Sequence, residues 1–176
     1  GMSMAPRKTS RGGCQQVVME ELDVTVLPIP KTWPEDGGRF MTLPLVVTAD
    51  PSSGEHNMGM YRSQVFGPRE VGLHWQAHKH GADHADATTG RMPVAICLGG
   101  PPELTFSAIA PLPDNLTEYE FAGLLSGRRL PIVKCKTNDL WVPADCDIVI
   151  EGYTIPGETR MEGPFGDHFG YYSLAE

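Results

Sequence analysis

A chain of 176 residues with 40% hydrophobic and 20% charged side chains has the composition of one ordinary globular domain. Its formal net charge of −8 argues against phosphate-backbone binding by bulk electrostatics, and no apolar run approaches the ~20 residues that span a bilayer. With 20 glycines and 16 prolines, turns should be frequent and helices short, which excludes a long coiled coil.

Taken in chain order, Gly1-Met2 resembles a tag scar, and residues 1–13 are polar and basic. Residues 1–26 are therefore expected to form a poorly ordered segment ahead of one domain over 27–176. Short β-branched runs bounded by Gly and Pro then predict strands. They fall at Leu43–Thr48, Met58–Phe66, Val71–Trp75, Pro93–Leu98, Pro131–Lys136, Cys146–Thr154 and Tyr171–Leu174. One helix is expected from Pro101-Pro102-Glu103 to about Ala110, with proline and an acid where a first turn tolerates them. A second opens on Thr117-Glu-Tyr-Glu120, a capping box, and closes at Gly127. A third, weaker helix is predicted over His74–Lys79, stopping at Gly81. Many strands at irregular spacing with few helices predict a closed or partly closed sheet. Cys14, Cys97, Cys135 and Cys146 have no metal-ligand spacing, and Cys97 and Cys135 lie in apolar runs. A reduced, cytoplasmic protein is expected.

Three constellations could carry chemistry. His74, His78, His80 and His84 are four of the six histidines, and both i,i+4 pairs would share a helical face. Zinc hydrolases use that spacing with HExxH, whereas this chain reads HWQAH, so a metal role and a surface or packing role both stand. Glu162 and Asp167 lie on a Gly- and Pro-rich stretch, EGPFGDHFG, either as general acid/base groups on a rigid loop or as solvated acids of a turn. Arg62 follows Asn57-Met-Gly-Met-Tyr on a strand of mixed polarity, to meet a carboxylate, a phosphate or an interface, or simply to form a strand-edge salt bridge. Neither GxxxxGK[ST] nor GxGxxG occurs.

Together, NMGMYR, WQAHKHG, PVAICLG, PLPDNLTEYEFAGLL, VKCKTNDLWVPADCDIVIEGY and EGPFGDHFGYY resemble the UbiD carboxy-lyase family, in the family's order from about Leu27 to the C-terminus. Where family members often read His-Arg-Gly-Gly, this chain has His78-Lys79-His80-Gly81. The resemblance implies a mostly β (α+β), FMN-binding-like split β-barrel with two or three short helices. It also implies prenylated FMN, a divalent metal such as Mn²⁺, and K⁺. Matched residue by residue, Asn57, His78 and Glu118 correspond to metal ligands that hold the flavin phosphate. Asn57, Met60, Tyr61, Arg62, His74, Trp75, Gln76, Lys79 and His80 correspond to cofactor-binding positions. Arg62, Glu162 and Asp167 correspond to the catalytic network, with Asp167 as proton donor.

The implied activity is non-oxidative decarboxylation of aromatic or α,β-unsaturated acids, as in ubiquinone biosynthesis. The alternative is a non-catalytic flavin- and metal-binding module or subunit. The implied partners are a flavin prenyltransferase that supplies the cofactor, and a second copy or a complementing subunit. The resemblance covers only the middle of a family member, so an isolated chain of this length is expected to be incomplete as an enzyme.

Overall fold

Strand segments that are hydrophobic at every position, such as Leu45-Val46-Val47 and Val94-Ala95-Ile96-Cys97, are suited to a sheet covered on both faces. The computed structural model, which describes residues 4–75, 90–155 and 157–175, builds its centre from them. The elements are β1 (Arg7–Thr9), β2 (Arg39–Met41), β3 (Leu45–Ala49), β4 (His56–Met60), β5 (Ser63–Gly67), β6 (Glu70–Leu73), β7 (Met92–Leu98), α1 (Pro102–Ile109), α2 (Glu118–Ser126), β8 (Pro131–Lys134), β9 (Trp141–Pro143), β10 (Ile148–Thr154), β11 (Glu162–Gly166) and β12 (Tyr172–Ala175). Two single-turn 3-10 helices, Gly13–Gln15 and Val24–Val26, precede β2.

The central sheet runs β10-β7-β3-β4, antiparallel throughout. Its two faces alternate residue by residue. Leu45, Val47, Ala95 and Cys97 join one core with Leu104, Tyr119, Ala122, Ile132 and Val133, so α1, α2 and β8 cover that side. Val46, Val94 and Ile96 join the other core with Val24, Met41, Tyr61 and Ile150. Val46 and Val47 are fully excluded from solvent, each burial contributing roughly 1.5–3 kcal/mol. Three smaller sheets complete the fold: β1-β8-β9, β2-β5-β6 and the hairpin β11-β12. The protein is thus mostly β with two α-helices, as expected. Among the described residues, hydrogen bonding divides the strands into four sheets and closes none of them into a barrel.

Both helices start and stop where their end signals lie. Thr117 Oγ1 accepts from the Glu120 N–H while the Glu120 carboxylate accepts from the Thr117 N–H, and Gly127 closes α2 at φ 69°. The third predicted helix, His74–Lys79, lies outside the described residues from residue 76 on; its first two residues, His74 and Trp75, belong to no helix. Part of the N-terminal segment is tied to the fold. Arg7–Thr9 pairs in parallel with Pro131–Val133, and the Cys14 N–H donates to Ala144 O. Polar composition conceals this because β1 is an edge strand, half solvated by position. Among the described residues, no helix is long and apolar enough to cross a membrane.

The four cysteines, distant in sequence, converge on the core under α1 and α2 as free thiols. Burial pushes the Cys14 thiol up to about 11 and raises Cys135 further. Cys97 is raised first by its hydrogen bond with Cys146 and then by burial.

Two measurements check these features. Thr117→Ala should lower unfolding stability in urea by about 1 kcal/mol through loss of the cap. A raised thiol pKa keeps Cys14 protonated in the fold, so stability linked to it is complete below the ordinary thiol value of 9.0 and falls as pH rises through about 11. Alkylation of the native chain by iodoacetamide should therefore be slow at mildly alkaline pH and accelerate only in strong alkali, read by mass spectrometry.

Candidate functional site

Strand β4 ends at Met60 and β5 begins at Ser63, so Tyr61 and Arg62 occupy a two-residue break between sheets. Tyr61 fixes the break. It is 2% exposed, and its ring meets Trp75 edge-on with centroids 5.0 Å apart. Because β5 and β6 pair with Ser63 opposite Leu73, the next residues outward, Arg62 and His74, come together. The His74 N–H donates to Arg62 O at 3.2 Å.

The third participant arrives on β11. Its Gly-Pro-Phe-Gly sequence has poor strand propensity, and hydrogen bonds from elsewhere hold it extended. Gln64 Oε1 accepts from the Gly163 N–H (2.7 Å), the Gly37 N–H donates to Pro164 O (2.7 Å), and Asp36 Oδ1 accepts from the Gly166 N–H (2.9 Å). Asp36 is itself buried, and its second oxygen accepts from the Trp33 N–H. Glycine is required at Gly37, where a Cβ would stand 2.4 Å from Gly163 Cα. Phe165 packs edge-on against Phe40 at 5.0 Å.

These contacts place Glu162, 8% exposed, against Arg62. Arg62 Nε donates to Glu162 Oε1 at 2.9 Å and Nη2 donates to Oε2 at 2.6 Å, a bidentate pair spanning 100 residues of sequence. His74 Nδ1 lies 3.1 Å from the same Oε2, and the guanidinium carbon sits 4.4 Å from the Phe165 ring centroid. Arg62 and Glu162 are thus brought together. Asp167 behaves differently. Its Oδ1 accepts from the Phe169 and Tyr171 N–H groups at 2.9 and 3.0 Å, so its recorded bonds fasten its own turn.

Asn57 and Glu118 are brought together at a second place. The Glu118 carboxylate accepts from the Met58 N–H at 3.3 Å, tying the start of α2 to β4 beside Asn57. Tyr119, whose phenol is pushed well up by burial, donates to Trp141 O at 2.5 Å and fixes the adjacent turn. His56 Nε2 accepts from the Trp141 N–H, and its Nδ1 lies 3.1 Å from Gly54 O. Asn57 and Glu118 line a cavity of about 470 Å³ with Gly59, Tyr61, Ala110 and Pro111. Asn57 is 7% exposed and its Nδ2 has no partner among the described residues. A buried amide hydrogen left unpaired costs about 1–3 kcal/mol unless something in the cavity accepts it.

His74, Trp75 and Glu162 line a separate, larger cavity of about 1100 Å³. The residues expected to contact one cofactor are therefore divided between two hollows. Tyr61 lines the smaller one while its ring touches Trp75 in the larger. Met60, the last residue of β4, is half-buried and packs against the core on the Cys97 side. Gln76, His78, Lys79, His80 and His84 lie outside the described residues. Among the described residues, no three His, Cys, Asp or Glu side chains cluster in a way that could hold a metal. Sequence reasoning missed the supporting pair Asp36 and Gln64, and it missed the Ala110-Pro111 wall of the smaller cavity. The signal available for the wall was the Pro-Leu-Pro run that stops α1 and cannot continue a helix.

The family model for the UbiD 3-octaprenyl-4-hydroxybenzoate carboxy-lyase Rift-related domain matches residues 6–176, and the chain belongs to that family. An uncharacterized protein of Archaeoglobus fulgidus is 49% identical, over 99% of this chain and 37% of its own length. Among solved structures, HmfF from Pelotomaculum thermopropionicum, a UbiD-class enzyme in complex with FMN, superposes with a TM-score of 0.89 at 32% identity, covering 97% of this chain and 40% of its own. Vanillic acid decarboxylase from Sedimentibacter hydroxybenzoicus superposes at 0.91 with 33% identity, covering 98% and 39%. An evolved dimeric form of HmfF, in complex with prenylated FMN (prFMN), superposes at 0.88 with 32% identity, covering 97% and 41%. This chain therefore spans about two fifths of the length of these relatives.

Removing Arg62 leaves a buried carboxylate without its two strongest donors. Arg62→Ala should destabilise the fold by about 1–3 kcal/mol. In a double-mutant cycle with Glu162→Gln, urea unfolding should return a coupling of similar size. Strict additivity of the two substitutions would mean that the pair holds nothing together.

Proposed function

We propose that the chain is the prenylated-FMN-binding part of a non-oxidative decarboxylase acting on aromatic or α,β-unsaturated carboxylic acids. The observation that carries this reading is the buried bidentate pair of Arg62 with Glu162, reinforced by His74 at the edge of a large cavity. Relatives solved in complex with FMN or prFMN support the cofactor assignment.

The smaller cavity fits the phosphate and metal end of such a cofactor. Asn57 and Glu118 supply oxygen ligands suited to a hard divalent ion such as Mn²⁺, with His78 as the third ligand and K⁺ as a companion ion. Asn57 Nδ2, unpartnered among the described residues, supports this reading, since a phosphate oxygen would accept its hydrogen. The flavin positions are Asn57, Met60, Tyr61, Arg62, His74, Trp75, Gln76, Lys79 and His80. When bound, the modified flavin supplies the reactive carbon and the electron sink.

The chain's own groups do the rest. Arg62 orients a carboxylate with its planar fork, and the substrate acid competes with Glu162 for the same donors. Glu162, screened from water, holds or releases a proton beside them. Asp167 keeps Oδ1 on two backbone N–H groups and delivers a proton from Oδ2. A flavin prenyltransferase supplies the cofactor. The second reading is a flavin- and metal-binding module that turns over only with a complementing polypeptide or as a homo-oligomer.

Co-expression with a flavin prenyltransferase should yield a chain with visible flavin absorbance. CO₂ release, or hydrogen–deuterium exchange on a panel of benzoic and cinnamic acids, should then appear with the chain alone or once a polypeptide carrying the remaining part of a relative is added. Arg62→Ala should lose at least about a hundredfold in exchange rate per bound flavin. A colourless chain, or exchange indifferent to Arg62, contradicts the proposal.

A further inference from the structure

Side chains along β4 alternate between the two faces of the central sheet. Met58 and Met60 join the core under the helices, and Tyr61 joins the opposite core with Val46. Asn57, Gly59 and Tyr61 therefore follow one another on a single face, with Gly59 paired opposite Val46. Glycine is a poor choice for the middle position, because it weakens a strand and gives its neighbours nothing to pack on.

The Tyr61 ring accounts for it. A Cβ at position 59 would stand 2.4 Å from Tyr61 Cε2 and 2.8 Å from both Cζ and Oη, its three nearest heavy atoms. The far end of the ring thus lies back along its own strand, in space that any other side chain would fill. The ring has no easy second place. It is 2% exposed and meets the Trp75 indole at an interplanar angle of 69°. A methyl group at 59 must push the ring, and a displaced ring gives up its contact with Trp75. Gly59 and Tyr61 line the smaller cavity, and Trp75 lines the larger. None of the three atoms met by such a methyl belongs to Asn57 or Glu118.

We infer that Gly59 is a positioning residue for the flavin ring: by carrying no side chain it seats Tyr61, and Tyr61 seats Trp75 at the edge of the larger cavity. Any side chain at this position leaves the Asn57 and Glu118 end in place and misplaces the two aromatic walls. The inference rests on the decarboxylase reading for the flavin; the seating of the two rings is measured without one, so the two fail separately.

The chain has three tryptophans, Trp33, Trp75 and Trp141, which suits ¹⁹F spectra of protein labelled with 5-fluorotryptophan. Trp75 is assigned as the resonance absent in Trp75→Phe. With no ligand present, Gly59→Ala should move the Trp75 resonance, as Tyr61→Leu does, and leave those of Trp33 and Trp141 in place. On the Tyr61→Leu background, Gly59→Ala should move it no further, because the clashing atoms are gone. FMN binding in the presence of Mn²⁺ should weaken at least about tenfold in Gly59→Ala, and the double variant should bind no worse than Tyr61→Leu alone. Should Gly59→Ala fail to fold, recovery of the fold in the double variant supports the inference and continued failure overturns it. An unmoved Trp75 resonance in Gly59→Ala, equal movement of all three tryptophans, a further shift in the double variant, or a wild-type FMN affinity in Gly59→Ala also overturns it. A wild-type chain that takes up no FMN contradicts the decarboxylase reading instead, and the tryptophan spectra still decide whether Gly59 seats Tyr61.

Discussion

A carboxylate that is 8% exposed must be paired where it stands, and Glu162 is the point at which separate parts of this chain are obliged to meet. Its partner Arg62 leaves the break between the central sheet and the β2-β5-β6 sheet, and His74 follows the last strand of that smaller sheet. Glu162 itself begins the β11-β12 hairpin. One ion pair therefore fastens three elements that share no continuous hydrogen-bond ladder. The cost of desolvating both charges is offset by two parallel hydrogen bonds, a third from His74, and the Phe165 face against the guanidinium.

The rest of the site is arranged to keep that pair in register. Asp36 and Gln64 hold a strand whose own residues would not choose to be one, and the close contact of Gly37 with Gly163 leaves no room for it to slide. Five residues before Arg62, on β4, Asn57 opens on the other cavity with Glu118. Tyr61 links the two hollows, lining one and touching Trp75 in the other. Solved relatives in this family include complexes with FMN and prFMN, and the proposed cofactor would span from the Asn57 cavity to the Arg62–Glu162 pair.

Features encoded locally were readable in the sequence. The capping box at Thr117, the glycine stop at Gly127 and the proline start of α1 lie where their chemistry puts them. The hydrophobic runs of β3 and β7 could hardly be anything but central strands. Features decided by distant contacts were not readable. A single strand was expected over Met58–Phe66, yet the burial of Tyr61 breaks it in two and thereby aims Arg62. EGPFG read as a tight loop because its extended form depends on Asp36, Gly37 and Gln64, more than 90 residues away. The N-terminal strand was invisible for the same reason, since its partner is β8. Within the site, the family motifs identified Arg62 and Glu162, but no pattern in one dimension could show that His74 joins them through Nδ1 or that the cofactor positions divide between two cavities.

The account depends on Asn57 and Glu118 forming a metal-dependent seat for a flavin phosphate. The most direct measurement is FMN binding to the purified chain, followed by quenching of flavin fluorescence with and without Mn²⁺. Binding should require the metal and weaken at least about tenfold in Glu118→Gln, while riboflavin, which lacks the phosphate, should gain nothing from the metal. FMN binding that ignores both Mn²⁺ and Glu118, or no binding under any condition, would contradict it.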